Sequence, residues 1–209
     1  MTLQVADAPA KKRAIVFIDG QNLYHCAREA YSCTHPNYDP LKLARLVCEK
    51  HGWLLKQVRF YTGYPKAEDD PFWANFWQKK LLAISRQGVK KFSRPLRYRK
   101  KTIKLKDGSE IETTVGEEKG VDVRIAIDVI RCALDAEYDV AVLFTQDQDL
   151  SEATDEVKKI ARQFDRAVEV ACAYPVGPGT TNARGINGTQ WIKLSREEYD
   201  ACIDPADYR

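Results

Sequence analysis

Short apolar runs typical of buried β-strands alternate with longer amphipathic segments along the chain. Residues 14–18 read Ala-Ile-Val-Phe-Ile, a continuous apolar run expected of a strand that is covered on both faces. Further runs predict strands at 57–64, 89–92, 139–144, 167–174 and 190–194. Because such strands form parallel sheets with helices on both sides, the pattern predicts an α/β fold.

Helical periodicity fills several of the intervals between these strands. Two helices are predicted to begin at Asp39-Pro40 and Asp70-Pro71, because aspartate caps a helix and proline suits its first turn. Two more are predicted at 119–134 and 149–164. An apolar stripe at helical spacing follows the second Asp-Pro pair; it comprises Trp73, Trp77, Leu81 and Ile84. The stripe could stack nucleic-acid bases, but we favour packing against the sheet.

We expect one domain over residues 13–209, preceded by a flexible tail at 1–12. Residues 96–115 interrupt the α/β pattern, because alternating residues flank Lys-Asp-Gly-Ser at 106–109 and Asp-Gly favours a tight turn. An inserted β-hairpin is therefore predicted there. With 44% hydrophobic and 30% charged residues, the composition is that of a globular protein. No run approaches the ~20 apolar residues of a transmembrane helix, so no membrane contact is expected.

The six cysteines are scattered and form no Cys-x-x-Cys pair. Since a chain of this length does not need disulfides, they indicate a reduced, intracellular protein, and we expect a cytoplasmic location. His25 and His35 lie near two of the cysteines, but their spacing fits no common zinc pattern. The oligomeric state is not indicated by the sequence.

Acidic residues follow predicted strands at separate points of the chain. Asp19 follows the first strand, Asp147 and Asp149 follow the strand at 139–144, and Asp122 stands at the start of the preceding helix. Ligands of an open parallel sheet bind beyond the carboxyl ends of its strands. We therefore expect these carboxylates within about 10 Å of one another, where they would suit Mg²⁺ or Mn²⁺. Such a metal can promote phosphodiester hydrolysis.

Each acid also has a structural interpretation. Asp19 could be a solvated loop residue, Asp122 could complement a helix dipole, and Asp149 could cap a helix with Glu152 as its capping-box partner. Asp147 has no obvious structural role, because it precedes that cap. Asp128 lies near an apolar stripe and is interpreted as a buried, hydrogen-bonded carboxylate or a supporting group rather than a ligand.

Three motifs together resemble the NYN-domain family, a branch of the PIN-like nucleases. They are Phe-Ile-Asp-Gly-Gln-Asn-Leu at 17–23, Lys-Gly-Val-Asp-Val at 119–123 and Thr-Gln-Asp-Gln-Asp-Leu at 145–150. The family often carries Ser-Gly-Asp-Ser-Asp-Phe in the last motif. Both aspartates are kept here, while Gln146 replaces the glycine. The resemblance covers roughly residues 13 to 194.

The resemblance implies a PIN-like Rossmannoid three-layer sandwich with a mostly parallel central sheet, here with the basic hairpin inserted. It implies a metal-dependent endoribonuclease that uses Mg²⁺ or Mn²⁺. The metal-site acids that match are Asp19, Asp122, Asp147 and Asp149. Asn22 matches an asparagine that positions a ligand or a catalytic water.

A strongly basic segment precedes the second motif. From Lys90 to Lys106, nine of 17 residues are Lys or Arg and none is acidic, although the whole chain has a net charge of only +3. This asymmetry favours contact with an RNA backbone, through Arg94, Arg97, Arg99, Lys100 and Lys101, with Tyr98 available to stack a base. A solvated hairpin protected by lysines is the alternative. Arg184 lies in a glycine-rich segment, 177–188, that is either a substrate loop or a long connection.

Other function classes are less well supported. Neither a Gly-x-Gly-x-x-Gly nor a Walker-type motif is present, which disfavours dinucleotide and P-loop nucleotide binding. A haloacid-dehalogenase-type phosphatase needs a second aspartate two residues after the nucleophile, and position 21 is glutamine. A catalytically silent RNA-binding or scaffold protein on the same fold remains the main alternative to a nuclease.

Overall fold

A six-stranded sheet, parallel throughout, forms the centre of the molecule. A computed structural model of the chain describes residues 10–104 and 109–208. The strands are β1 (Arg13–Asp19), β2 (Leu54–Tyr64), β3 (Lys90–Pro95), β4 (Arg97–Lys104), β5 (Glu110–Glu117), β6 (Val140–Phe144), β7 (Glu169–Pro175) and β8 (Gln190–Leu194). The central sheet has the order β3-β2-β1-β6-β7-β8, and β4 pairs with β5 in a separate antiparallel hairpin.

Helices cover both faces of this sheet. They are α1 (Gly20–Tyr31), α2 (Pro40–Lys50), α3 (Pro71–Arg86), α4 (Val121–Leu134), α5 (Ser151–Gln163) and α6 (Arg196–Asp200), with a 3₁₀ turn at Gln148–Leu150. Alternate residues of β1 serve two cores: Val16 and Ile18 pack with α1, α2 and α3, whereas Ile15 and Phe17 pack with α4 and α5. The three-layer α/β architecture predicted from the sequence is thus confirmed.

The strands expected from the apolar runs all form, with ends shifted by a few residues. The apolar stripe on α3 is mainly core, since Trp77, Leu81 and Ile84 are buried. Helix α1, which the sequence reasoning did not predict, begins directly at the first motif. The hairpin spans 97–117 rather than 96–115; residues 1–9 of the expected tail at 1–12 and residues 106–108 of the expected turn at 106–109 lie outside the described residues. Within the described ranges, no helix is long and apolar enough to cross a bilayer.

The sheet order defines one preferred position for a ligand. The chain winds outward in one direction through β1, β2 and β3 and in the other through β6, β7 and β8, so β1 and β6 are neighbours at the reversal point. In doubly wound sheets the crevice beyond the carboxyl ends of such a strand pair binds ligands. Asp19 is the last residue of β1, and the 145–150 motif directly follows β6.

A buried ammonium group joins α3 to the last described residues of the chain. Lys80 is completely buried; its Nζ donates to the carbonyl oxygen of Tyr38 (2.7 Å) and pairs with the carboxylate of Asp204 (3.3 Å). The same ammonium lies over the rings of Tyr38 and Tyr208. Burial lowers the pKa of Lys80, and Asp204 opposes that shift.

We expect Asp204→Asn to lower the free energy of unfolding by about 3 kcal/mol, because it leaves a buried ammonium without its counter-charge. The double variant Asp204→Asn/Lys80→Met should recover part of that loss, since it removes the charge as well. Urea denaturation of the two variants beside the unmutated protein measures both effects. A double variant less stable than Asp204→Asn would show that the charge is not the source of the loss.

Candidate active site

Asp19 is buried at the carboxyl end of β1 and is not the solvated loop residue that one interpretation allowed. Its side chain is 7% exposed, and it caps helix α1 by accepting the backbone N–H of Asn22 (2.9 Å). Burial raises the pKa of Asp19 to about 6, opposed by the hydrogen bond from Asn22 and reinforced by the nearby Asp147 and Asp122. A buried carboxyl that faces other acids is a group that a cation would stabilise in its charged form.

The residue after Asp19 must be small for α1 to begin here. A Cβ built on Gly20 would lie 2.5 Å from the Phe60 ring and 3.1 Å from the carbonyl oxygen of Tyr61. Residue 20 therefore lets the first turn of α1 lie directly on β2. This close approach fixes the direction in which the N-terminus of α1 points, and with it the carboxylate of Asp19.

Asn22 holds the segment after β6 in place. Its Oδ1 accepts the backbone N–H of Gln146 (3.0 Å), so the side chain links α1 to the 145–150 motif across the crevice. This contact assigns Asn22 a positioning role. A role in holding a ligand or a water, which the resemblance implied, stays a prediction.

Asp147 and Asp149 occupy the 3₁₀ turn after β6 in different environments. Asp147 is half-buried, and its carboxylate accepts the backbone N–H of Asp149 (3.0 Å). Asp147 thus caps the turn, so the expectation that it lacks a structural role was wrong. Asp149 is exposed, and α5 begins after Leu150 without a side-chain cap, so the capping box of Asp149 with Glu152 does not form.

Asp122 lies in the first turn of α4, as both of its interpretations required. Glu118 stands two residues before Gly120, the N-cap of α4, and interacts electrostatically with Asp19 and Asp122. Burial raises the pKa of Glu118 to about 7, and Asp19 and Asp122 add to that rise. The same carboxylate accepts the backbone N–H of Gly63 in β2. Glu118 is a site residue that the sequence reasoning did not select; its position just before the Lys-Gly-Val-Asp motif was the available signal.

The structure therefore places Asp122 and Asp147 close enough to Asp19 to raise its pKa, and Asp19 and Asp122 close enough to Glu118 to raise its pKa. Across the described residues, none of the four forms an ion pair with Lys, Arg or His. Asp149 is the one predicted ligand that perturbs neither Asp19 nor Glu118.

This donor set fits a hard divalent cation. Carboxylate oxygens are the ligands that Mg²⁺ and Mn²⁺ prefer, and Mg²⁺ usually keeps several waters between itself and the protein. Within 10–104 and 109–208, no three His, Cys, Asp or Glu side chains form a ready-made metal site.

Asp128 has the structural role expected of it. It is buried on α4, accepts the hydroxyl hydrogen of Tyr61 (2.8 Å) and pairs with Arg124 (3.0 Å). Arg59 is 3.7 Å away. These partners neutralise Asp128, which separates it from the uncompensated acids at the end of the sheet.

The cations of the basic segment, which includes the end of β3 and strand β4, divide into two groups. Arg99 pairs with Glu117, and Lys100 pairs with Glu112 (3.0 Å), both on the neighbouring strand β5. Arg94, Arg97 and Lys101 have no ion-pair partner among the described residues. The basic segment is thus partly neutralised by an acidic partner strand that the sequence reasoning did not take into account.

The glycine-rich segment lies against the site. The amide of Gln146 donates to the carbonyl oxygens of Asn182 (2.8 Å) and Arg184 (2.7 Å), and its oxygen accepts the thiol hydrogen of Cys26 (2.9 Å). The segment is also fixed to α1, because Glu29 accepts the backbone N–H of Thr181 (3.0 Å). Arg184 is exposed beside the motif after β6.

Comparison with known proteins agrees with this geometry. The model of the NYN domain matches residues 13–181, which include both β1 and the motif after β6. The chain belongs to the NYN-domain family. The NYN domain is a PIN-like nuclease domain, and the predicted fold and family are both confirmed.

Other comparisons with this NYN domain are remote. A search of curated proteins found no significant match. A ribokinase from Giardia lamblia is 10% identical with a TM-score of 0.38, covering 84% of this chain and 54% of that one. MurG from Acinetobacter baumannii is 10% identical with a TM-score of 0.33, covering 88% of this chain and 45% of that one. The chain thus spans about half the length of these structures.

The acidic cluster predicts a specific pH dependence of stability in the metal-free protein. The folded-state pKa values of Asp19 and Glu118, about 6 and about 7, lie above their ordinary values. Their protonated forms therefore stabilise the fold at low pH, and that stability is lost as the pH rises from about 4 to 7. We expect Asp19→Asn/Glu118→Gln to become more stable than the unmutated protein over this range, by up to about 3 kcal/mol per carboxyl.

Urea denaturation in EDTA between pH 4 and pH 8 measures this difference. Mg²⁺ or Mn²⁺ at pH 8 should then stabilise the unmutated protein and leave the double variant unchanged. Two stability curves that stay parallel across the range would contradict the presence of a strained acidic cluster.

Proposed function

We propose that this NYN domain is a metal-dependent endoribonuclease that hydrolyses RNA phosphodiester bonds at Asp19, Asp122, Asp147 and Asp149. The observation that carries the proposal is the group of acids at the reversal point of the sheet, of which Asp19 is buried without a cationic partner. Acids that are costly to keep together are explained by a cation that binds among them. Glu118 belongs to the same site by its electrostatic contact with Asp19 and Asp122.

The chain's own residues would hold the cation and orient the strand. Asp19, Asp122 and Asp147 would supply oxygen ligands from three separate elements, and Asn22 keeps the segment that carries Asp147 next to α1. Mg²⁺ or Mn²⁺, when bound, would neutralise charge on the phosphodiester and activate a water for in-line attack. Asp149, which is exposed on the same 3₁₀ turn, is available to the cation's water shell or to the incoming water.

The RNA backbone would reach this site along Arg94, Arg97 and Lys101, the cations that form no ion pair among the described residues. Arg94 lies close to the start of α4. A Cβ built on Gly120, the N-cap of that helix, would be 3.0 Å from the Arg94 guanidinium. Arg97 and Lys101 continue along the same face of β4, since alternate residues of a strand share a face. On the other side of the acids, Arg184 offers a further cation.

The alternative is a catalytically silent RNA-binding or scaffold protein. It is favoured by one observation, that no ready-made group of three metal-ligating side chains exists among the described residues. The two functions differ in a single measurable property, which is divalent-cation-dependent cleavage.

We expect Asp147→Asn to abolish RNA cleavage in Mg²⁺ or Mn²⁺ while leaving the fold intact. The asparagine oxygen can still cap the 3₁₀ turn by accepting the Asp149 N–H, but it is a much weaker ligand for a cation. Asp155→Asn, which changes an exposed aspartate paired with Lys158, is the matched control and should cleave normally. Cleavage assays on mixed RNAs, with and without EDTA, test the proposal. Undiminished cleavage by Asp147→Asn, or cleavage that survives EDTA, would contradict it.

The hairpin provides a second test with an internal control. Arg97→Gln/Lys101→Gln removes two unpaired charges, and we expect the log–log salt dependence of single-stranded RNA affinity to fall by about 1.4. Arg99→Gln/Lys100→Gln removes the same charge from the same strand. Since these two side chains already pair with Glu117 and Glu112, the slope should fall by less than about 0.7. Equal slopes for both variants and the unmutated protein would show that the hairpin does not contact the RNA backbone and is only a solvated edge.

A further inference from the structure

A groove lined by aromatic side chains lies beside the acidic cluster, between α3 and the hairpin. Its volume is about 260 Å³, and its walls include Gln21, Tyr24, Asp70, Trp73, Trp77 and Tyr98. Three separate parts of the chain thus contribute rings to one open groove. Two of these parts, the stripe on α3 and the aromatic residue of the basic segment, were noted in the sequence as able to stack bases.

Tyr98 is held at the groove by the hairpin itself. It lies opposite Gly116 in the β4–β5 register, and a Cβ built on Gly116 would lie 2.9 Å from the Tyr98 ring. The glycine lets the ring pack directly against the partner strand. Tyr98 therefore remains half-buried, with part of its surface facing the groove.

The opposite wall is rigid. Trp77 is 5% exposed and packs between Phe60 and Phe76 in the core. Trp73 is half-buried and meets Phe76 edge-to-face, with ring centroids 5.1 Å apart. Part of the Trp73 ring therefore stays accessible in the groove, while its contact with Phe76 holds its orientation. Fixed rings stack a planar ligand at little cost in entropy.

The groove is linked to the acidic cluster through Gln21 and Gly63. Gln21 lines the groove and lies two residues after Asp19; its amide donates to the carbonyl oxygen of Gly63 (3.4 Å). The N–H of the same Gly63 is bound by the carboxylate of Glu118. One nucleotide could therefore have its phosphate at the acids and its base in the groove.

The charges of the groove favour a base over a phosphate as its occupant. Asp70 lines it, and the pKa of the Tyr98 hydroxyl is raised first by burial and then by Asp69 and Asp70, which outweigh the opposing effect of Lys66. Among the groove's lining residues there is no Lys or Arg. A phosphate would be repelled here, whereas the π-face of a base would be accepted and its amino groups could meet the acidic rim.

We propose that this groove binds an unstacked nucleobase of the RNA strand whose phosphodiester lies at the acidic cluster, with Tyr98 and Trp73 as its stacking partners. This inference rests on the proposed function and defines the substrate as single-stranded RNA, because a base inside a duplex is not free to enter. A protein segment in the groove is the competing occupant, and the test below distinguishes the two.

The test measures binding without cleavage. Fluorescence anisotropy of a labelled single-stranded RNA and of its duplex is recorded in the Asp147→Asn background. Tyr98→Ala should weaken single-strand binding by about 5- to 100-fold and leave duplex binding within twofold. Tyr98→Phe, which keeps the ring, should restore most of the lost affinity. Phe164→Ala removes an aromatic ring that is 49% exposed at the end of α5, outside the groove, and should have no effect.

Abasic substitution in the RNA provides a readout that does not depend on how well the Tyr98 variant folds. One abasic position should weaken binding to the Asp147→Asn protein as strongly as Tyr98→Ala does, and the two changes together should cost no more than either alone. If every abasic position is tolerated within twofold, or if Tyr98→Ala weakens single-strand and duplex binding equally, a base does not occupy the groove.

The cleavage assay separates this inference from the proposed function. If the protein cleaves RNA with a metal ion and no abasic position affects binding or cleavage, the base-binding hypothesis is wrong and the nuclease hypothesis stands. If an abasic position weakens binding but the unmutated protein never cleaves RNA, the base-binding hypothesis stands and the nuclease hypothesis is wrong.

Discussion

The repulsion among carboxylates at the ends of β1 and β6 is the constraint on which the site depends. Asp19 is buried and faces Asp147 and Asp122, and its charge is offset mainly by the N-terminus of α1. A helix N-terminus offsets only part of one negative charge. The fold therefore keeps an electrostatic strain at this edge that either protons or a cation must relieve. Two details of packing maintain it, the contact of Gly20 with β2 and the hydrogen bond from the Gln146 N–H to Asn22.

The fold was largely predictable because its strands are buried on both faces. Such strands are continuous apolar runs, and the run at 14–18 indicates both a strand and its central place in the sheet. Helix α1 was harder to predict, since it has mixed polarity and its first turn coincides with a motif that resembles a loop. The position of Asp19 and Asp147 at one edge of the sheet was also predictable, because the carboxyl ends of parallel strands meet there.

The remaining features depend on contacts between residues distant in sequence. Glu118 joins the site because β5 ends beside Gly63 of β2, and no local pattern shows that approach. The pairing of Arg99 with Glu117 and of Lys100 with Glu112 follows from the hairpin register, which a count of basic residues ignores. In the same way, the convergence of Tyr98 with the rings of α3 is a property of how the hairpin lies on the domain.

Gln146 has a consequence for motion. Its amide oxygen accepts from Cys26 on α1, and its amide nitrogen donates to two carbonyl oxygens of the glycine-rich segment. A glycine at this position, as the resembling motif often has, would remove these two hydrogen bonds to the segment and leave it held by other contacts, such as those of Glu29 and Gln148. Here Gln146 ties the glycine-rich segment to the turn that carries Asp147. We therefore expect that displacing this segment would also disturb the turn that carries Asp147, which couples the width of the crevice to the arrangement of its carboxylates.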